Sequence, residues 1–259
     1  MMRIVQMLAA LVILASNAWA ETVTIQGRES VLFSPKALGD RPAPLVIALH
    51  GALGNGTQLR WALGLDAEAQ ARGFRVLYMF GTDAQVGYAP FGRVWNSGVC
   101  CGVARRQDVD DVAYLKAVVI EMKRRRIASS VFAVGHSNGG MMSLRLACAE
   151  PDLLDGVIAI AGVLLSNRCK RLSGLPVMHI HGLRDAIVPV AGRLNDADQQ
   201  VRFPPLDQSV RVLRAAGADV EVVRLKAGRH LLGSIDRAMR RQFGQGLPEH
   251  IARVIADWE

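Results

Sequence analysis

The stretch Val131-Phe132-Ala133-Val134-Gly135-His136-Ser137-Asn138-Gly139-Gly140-Met141-Met142 joins an apolar, β-rich run to a helix-forming segment. The junction has the pattern G-x-S-x-G, which between a strand and a helix is typical of a nucleophile elbow. Gly135 and Gly139 lack a Cβ atom, so the strand and the helix can close around Ser137. The N–H groups at the start of the helix favour negative charge beside the hydroxyl. The pattern therefore predicts that Ser137 is a nucleophile; the alternative is an ordinary glycine-rich turn.

Further apolar, β-rich runs lie on both sides of this elbow and alternate with helical patterns. Unbroken apolar runs suit strands buried on both faces of a parallel sheet, and the alternation predicts βαβ units. We expect a mostly parallel, doubly wound α/β sheet, and a single domain because no linker divides the chain. The predicted strands are 44–49, 75–80, 130–134, 156–161, 176–180 and 220–225, and the predicted helices are 108–126 (capped by Asp108), 138–149, 207–216 and 248–258.

A serine nucleophile needs a base, and the base needs an acid that orients it. In α/β-hydrolases the order along the chain is serine, acid, histidine. Asp185 directly follows a predicted strand, and His230 follows the last predicted strand after one short loop. We therefore predict that Ser137, Asp185 and His230 form a catalytic triad at the carboxyl edge of the sheet. Less suitable candidates are Asp196 and Asp198 for the acid, and His136, His179, His181 and His250 for the base.

The oxyanion of such a reaction needs N–H donors. One should be the backbone N–H of Asn138, the residue after the nucleophile, and the other should come from the loop after an early strand. That loop reads His50-Gly51-Ala52-Leu53-Gly54-Asn55-Gly56. We predict the N–H of Ala52 as the second donor, with that of Leu53 as the alternative. His50 and Asn138 are also predicted to contact the substrate.

The first twenty residues have the pattern of an export signal. Arg3 precedes an apolar run from 7 to 15, and Ala18-Trp19-Ala20 supplies an A-x-A cleavage site. We expect a signal peptide at 1–20 and a catalytic domain at 21–259, in a secreted or periplasmic protein without stable membrane insertion after cleavage. The alternative is a membrane anchor, for which the apolar run is short.

Cys100, Cys101, Cys148 and Cys169 could be oxidised after export. Four cysteines allow three pairings, and the sequence does not choose among them. A bond between the adjacent Cys100 and Cys101 is the least expected, because it closes a strained ring. The sequence predicts no metal site, because it contains no C-x-x-C pattern and no histidine at ligand spacing.

Composition excludes several classes of protein. Apolar residues make up 51% of the chain and charged residues 21%, which is incompatible with wholesale disorder. The net charge is +8, but the only basic run, 123–126, closes a predicted helix, so we expect no nucleic-acid partner. Binding to an anionic surface is an alternative use of this charge. The sequence does not predict an oligomeric state.

The chain resembles the esterase family that groups polyhydroxybutyrate depolymerases with feruloyl and acetyl-xylan esterases. The resemblance extends over most of residues 21–259. It rests on His50-Gly51 with Asn55, Trp95-Asn96-Ser97-Gly98-Val99-Cys100-Cys101-Gly102, Val109-Asp110-Asp111-Val112, the elbow segment, and His181-Gly182-Leu183-Arg184-Asp185.

This resemblance implies an α/β-hydrolase that cleaves esters outside the cytoplasm with no cofactor, through Ser137, His230 and Asp185. It also implies that Trp95 is a substrate-binding residue near the active-site mouth and that some cysteines are bridged. The chain departs from the family pattern at Ala52-Leu53 and at Leu231-Leu232-Gly233. We expect soluble oligomers or small acyl and aryl esters as substrates. A serine peptidase, a thioesterase and a catalytically inactive binding protein on the same fold are the alternatives.

Overall fold

A computed structural model describes residues 18–85, 87, 91–193 and 202–259. The first seventeen residues of the predicted signal peptide, as well as Asp196 and Asp198, lie outside the described residues. The strands are β1 (Ala18–Ile25), β2 (Arg28–Pro35), β3 (Ala43–Leu49), β4 (Arg75–Met79), β5 (Thr82–Asp83), β6 (Arg93–Val94), β7 (Ala128–His136), β8 (Gly156–Ile160), β9 (Pro176–Gly182) and β10 (Asp219–Leu225). The helices are α1 (Gly56–Leu63), α2 (Leu65–Arg72), α3 (Gly102–Arg106), α4 (Asp111–Arg124), α5 (Asn138–Ala149), α6 (Leu206–Ala215), α7 (Leu232–Phe243) and α8 (Leu247–Trp258).

Eight of these strands form one sheet in the order β1-β2-β4-β3-β7-β8-β9-β10. The strands from β4 to β10 in this order are parallel, and β1 and β2 add an antiparallel hairpin at one edge. The predicted mostly parallel α/β sheet is confirmed. The hairpin was not predicted, because its strands, AWAETVTI and RESVLFSP, mix polar with apolar residues and carry no long apolar run.

The helices cover both faces of this sheet. Alternate residues of β3 divide between two apolar layers: Leu45 and Ile47 pack with α4, α5 and α6, whereas Val46 packs with α1, α2, α7 and α8. Burial on both faces explains why the central strands are apolar throughout. Parallel strands also place all their carboxyl ends at one edge, which is where the candidate active site lies.

Helix α4 begins later than predicted. Asp110 is its N-cap, with a carboxylate that accepts a hydrogen bond from the N–H of Ala113 at 2.9 Å. Asp108 lies in the preceding loop with a φ of 48°, which is outside the extended conformation usual for a cap. The predicted cap was therefore wrong by two residues.

All four cysteines are paired. Cys148 of α5 is bonded to Cys169 in the segment between β8 and β9. Cys100 is bonded to Cys101, so the expectation against this pair was wrong. The peptide bond between them is cis, and their Cα atoms lie 3.1 Å apart.

In the part of the chain that the structure describes, no helix combines the length and the apolar character needed to cross a bilayer.

Candidate active site

Ser137 occupies a sharp turn between β7 and α5. Its φ of 54° and ψ of −120° are rare for a residue with a side chain, and its N–H donates to the carbonyl of Ile160 at 2.8 Å. A Cβ atom on Gly135 would overlap the carbonyl of Gly139, and a Cβ atom on Gly139 would overlap that of Leu49. The glycines of the pattern therefore let the strand and the helix approach closely enough to form the turn.

The three residues of the predicted triad lie in one hydrogen-bonded line. His230, in the loop between β10 and α7, places Nε2 2.9 Å from Oγ of Ser137 and Nδ1 2.7 Å from Oδ2 of Asp185. All three side chains are buried. Because a carboxylate only accepts hydrogen bonds, His230 carries its proton on Nδ1, which leaves Nε2 able to take the proton of Ser137.

Asp185 is held by several donors in the loop after β9. Its Oδ1 accepts from the N–H groups of Ile187 and Val188 at 2.8 Å each, and Nε2 of His181 lies 3.4 Å from its Oδ2. Burial alone would raise the pKa of Asp185, but the hydrogen bonds from His181, His230 and Val188 outweigh it and hold that pKa well below its usual range. Asp185 is therefore a permanent anion behind His230.

The competing histidines lie in positions that do not reach Ser137. His179 is buried in β9 and His250 in α8, while His181 sits behind Asp185. The ring of His136 bonds the backbone carbonyl of His230 at 2.9 Å, and burial lowers its pKa to about 4. His136 thus supports the His230 loop as a neutral ring.

The backbone N–H groups of Ala52 and Asn138, the two predicted oxyanion donors, make no hydrogen bond within the described residues. The N–H of Leu53, the alternative donor, is bonded to the carbonyl of Arg93 at 2.9 Å. The loop after β3 also presses on the elbow, since a Cβ atom on Gly51 would lie 3.3 Å from that of Ser137. The N–H of Ala52 is therefore unbonded where that of Leu53 is not, and Ala52 and Asn138 remain the predicted oxyanion donors.

The side chains predicted to contact the substrate form hydrogen bonds around the loop after β3, residues 50–56, which is called the oxyanion loop below for its predicted role. Trp95 is fully buried; its Nε1 donates to the carbonyl of His50 at 3.1 Å. The amide of Asn138 accepts from the N–H of Trp95 at 2.8 Å and donates to its carbonyl at 3.0 Å. Trp95 therefore lies beside Asn138 and His50, but its fully buried indole is not part of the lining of the cleft described below.

His50 is also buried and bonded to the backbone on both sides of its ring. Nε2 accepts from the N–H of Gly81 at 3.0 Å, and Nδ1 donates to the carbonyl of Gly51 at 2.8 Å. Burial lowers the pKa of His50 to about 4, so the ring is neutral. Its ring fixes the backbone at the start of the loop after β3, and His50 also lines the cleft beside Ser137.

Two of the motifs that carry the family resemblance, residues 95–102 and residues 109–112, contact each other. Asp111 is buried, and its carboxylate accepts from the N–H of Asn96 at 2.7 Å and from Arg28 at 2.6 Å. The amide of Asn96 donates to the carbonyl of Val109 at 3.0 Å. This network joins the Trp95 segment to α4 and to the loop before it.

A cleft of about 540 Å³ opens beside Ser137. Its walls come from the oxyanion loop, from α1 and from the loop around His230, and its rim carries the exposed side chains of Leu53, Ile187 and Leu231. Sequence reasoning missed this rim, because isolated apolar residues in loops carry no periodic signal. Among the described residues, no group of three metal-ligating side chains comes together.

Comparison with known proteins gives matches to esterases. The family profile described as phospholipase/carboxylesterase matches residues 36–203. NocK of Nocardia uniformis, assigned as an esterase, is 34% identical over 153 residues, which cover 58% of this chain and 42% of NocK. Feruloyl esterase B of Piromyces equi is 27% identical over 176 residues, which cover 65% of this chain and 31% of that protein. The chain thus spans less than half the length of these two relatives.

A solved structure, the poly(3-hydroxybutyrate) depolymerase of Bordetella parapertussis, shares the fold. It superposes with a TM-score of 0.56 at 18% identity, over 92% of this chain and 94% of that one. At this identity the likeness concerns the fold alone.

Proposed function

Since this chain belongs to the phospholipase/carboxylesterase family of α/β-hydrolases, we propose that it is an exported serine esterase whose nucleophile is Ser137. The observation that carries the proposal is the unbroken line from Oγ of Ser137 through His230 to Asp185, at 2.9 and 2.7 Å. A serine is a weak nucleophile unless a positioned base takes its proton, and this geometry supplies that base.

In the proposed first half-reaction, Oγ of Ser137 attacks the ester carbonyl as its proton passes to Nε2 of His230. The N–H groups of Ala52 and Asn138 stabilise the negative charge that develops on the carbonyl oxygen. His230 then gives the proton to the oxygen of the departing alcohol, and the acyl group remains on Ser137. Asp185 stays ionised and stabilises the imidazolium while it exists.

In the second half-reaction, water replaces the alcohol. His230 takes a proton from the water, whose oxygen attacks the acyl carbonyl in the same oxyanion site. The tetrahedral intermediate collapses with return of the proton to Ser137, and the carboxylic acid leaves. No step needs a metal or an organic cofactor.

The proposed substrates are oligomeric hydroxybutyrate esters or feruloyl- and acetyl-type esters. The cleft supports small or soluble esters, because its volume of about 540 Å³ is within the usual range for small-molecule sites. A peptidase or a thioesterase would use the same groups. A panel of aryl esters, hydroxybutyrate oligomers, thioesters and peptide amides separates these activities.

The proposed location is outside the cytoplasm, with a signal peptide at 1–20 and the catalytic domain at 21–259. The two disulfides support this location, since such bonds persist in oxidising compartments. The proposed cleavage site lies inside β1, so the mature strand would begin at Glu21, opposite Leu32. Intact-mass measurement of the exported protein should give a chain that begins at Glu21.

Covalent labelling tests the nucleophile directly. A fluorophosphonate probe should label the parent protein on Ser137 and should not label Ser137→Ala. Absence of labelling in the folded parent protein, with no hydrolysis of p-nitrophenyl acetate, would favour the inactive binding protein and reject the esterase.

A further inference from the structure

A second groove of about 710 Å³ adjoins the cleft on the far side of His230 from the oxyanion loop. The two share the residues around the base, including Ile187, His230 and Leu231. The groove includes none of the residues from the loop after β3 and from α1 that line the cleft, so it lies on the side of His230 away from Ala52. A substrate seated at Ser137 can extend into it past the imidazole.

Four arginines line this groove: Arg184, Arg229, Arg237 and Arg241. All four are exposed, and none makes a side-chain hydrogen bond or an ion pair with another described residue. Their neighbours behave differently. Arg240 on α7 pairs with Asp236 and Glu249, and Arg224 on β10 pairs with Asp207. The groove thus concentrates positive charge that nearby carboxylates leave uncompensated.

Ordinary helix stabilisation does not account for this cluster. Arg237 and Arg241 are four residues apart on α7, a spacing at which like charges repel and weaken a helix. The dipole of α7 favours Arg241 in its last turn but not Arg237 in its middle. Arg184 and Arg229 lie in loops, each directly before a residue of the proposed triad. A negatively charged ligand would relieve this repulsion.

The direction of the groove indicates which part of a substrate would carry that charge. His230 must protonate the oxygen of the departing alcohol, so the alcohol lies on the His230 side of the scissile bond. The acyl part lies between Ser137 and the oxyanion loop. Building on the proposed function, we propose that the arginine groove binds an anionic group, a carboxylate or a phosphate, on the alcohol part of the ester.

Four matched esters test this proposal. 4-Acetoxybenzoate carries a carboxylate on the leaving phenol, and 4-acetoxybenzamide is its neutral counterpart. 4-Acetoxyphenyl phosphate places a phosphate at the same position and separates the two anions. Phenyl hydrogen succinate carries its carboxylate on the acyl part. The measurement is kcat/KM for each ester, corrected for its spontaneous hydrolysis, at ionic strengths of about 0.02 and 0.5 M.

At low ionic strength the parent enzyme should prefer at least one of the two anionic phenols to the neutral amide by about tenfold. The preference should shrink in high salt, because exposed charges are screened. For phenyl hydrogen succinate, whose carboxylate lies on the acyl part, kcat/KM should show no such increase at low ionic strength. Each of Arg184→Gln, Arg229→Gln, Arg237→Gln and Arg241→Gln should lower the preference by about two- to fivefold, the range for single exposed ion pairs.

Arg211→Gln is the matched control. Arg211 is an exposed arginine of α6, on the opposite face of the sheet, and lines a different cavity. This variant should keep the parent preference. Equal kcat/KM for charged and neutral phenols, or equal losses in Arg211→Gln and the groove variants, would overturn the anionic groove and leave the esterase standing. If none of the four esters is hydrolysed, the proposed function fails and the groove proposal falls with it.

Discussion

The floor of the active site is buried and fixed by hydrogen bonds, whereas its rim is exposed and makes few of them. We define the floor as Ser137, Asp185 and His230 with the supporting His50, Trp95 and Asn138, and the rim as Leu53, Ile187, Leu231 and the four groove arginines. Hydrogen bonds join the residues of the floor to one another, both along the triad and between His50, Trp95 and Asn138. The rim side chains instead face open space.

This difference assigns separate tasks to the two regions. A preorganised floor can stabilise a transition state without moving, which is where electrostatic catalysis gains most. An exposed, adaptable rim contributes weaker and more selective contacts. Substitutions in the floor should therefore change turnover by orders of magnitude, and substitutions in the rim should change the ranking of substrates by small factors.

The largest effect is expected for Ser137→Ala, which removes the nucleophile. The value of kcat for p-nitrophenyl acetate should fall by about six orders of magnitude, as for comparable triads. Ser209→Ala is the control, since Ser209 is a buried serine of α6 whose hydroxyl bonds the N–H of Leu164 at 3.0 Å. Turnover by Ser137→Ala at the parent rate would exclude Ser137 as the nucleophile.

The floor should also make stability depend on pH. The pKa of His50 is about 4 in the folded protein and about 6.5 in the unfolded chain. Between pH 4 and 6.5, the His50 ring is therefore protonated mainly in the unfolded chain. Its contribution to stability is complete above pH 6.5 and is lost as the pH falls toward 4. At pH 5 the loss is roughly 2 kcal/mol.

Urea unfolding of the parent and of His50→Gln measures this contribution. Glutamine can accept from the N–H of Gly81 and donate to the carbonyl of Gly51, but it does not titrate. The free energy of unfolding of the parent should fall more between pH 7.5 and 5 than that of the variant, by about 2 kcal/mol. Parallel pH curves for the two proteins would contradict a neutral, buried His50.

Trp95→Phe removes the hydrogen bond from Nε1 to the carbonyl of His50 while keeping an aromatic ring. The loop that carries Ala52 should then be less precisely placed, and kcat should fall by about tenfold with little change in KM. Trp258→Phe is the control: Trp258 packs against Phe132 far from the site and makes no comparable bond. If both variants lose stability but lower kcat equally, Trp95 has no specific positioning role.

The sequence predicted the sheet and the residues of the triad but not the orientation of the Trp95 side chain. The strand–elbow–helix pattern predicted the sheet and the position of Ser137, because local sequence sets the turn. Chain order selected Asp185 and His230 from several candidates, because parallel strands end at one edge. The direction in which Trp95 points depends on partners 43 and 45 positions away along the chain, and no local pattern contains that information.

The same limit applies to Asp108 and to the cysteines. The cap of α4 shifted to Asp110 because the next residue, Asp111, is drawn into the network with Asn96 and Arg28. The bond between Cys100 and Cys101 depends on the backbone geometry between them. The arginine groove could not be predicted from the sequence, because its four arginines come from three separate segments that only the fold brings together.

The smallest expected effect comes from the rim. Leu53 is 38% exposed and borders the cleft next to the Ala52 N–H, on the acyl side of the scissile bond. Leu53→Ala should therefore lower the ratio of kcat/KM for p-nitrophenyl butyrate over p-nitrophenyl acetate by about two- to fivefold, the contribution of a partly buried methylene contact. Leu183→Ala is the control, because Leu183 is a similarly exposed leucine (46%) that lines neither the cleft nor the groove. A loss of kcat larger than the loss of selectivity would place Leu53 with the floor, since it would mean that the side chain holds the oxyanion loop and does not contact the acyl chain.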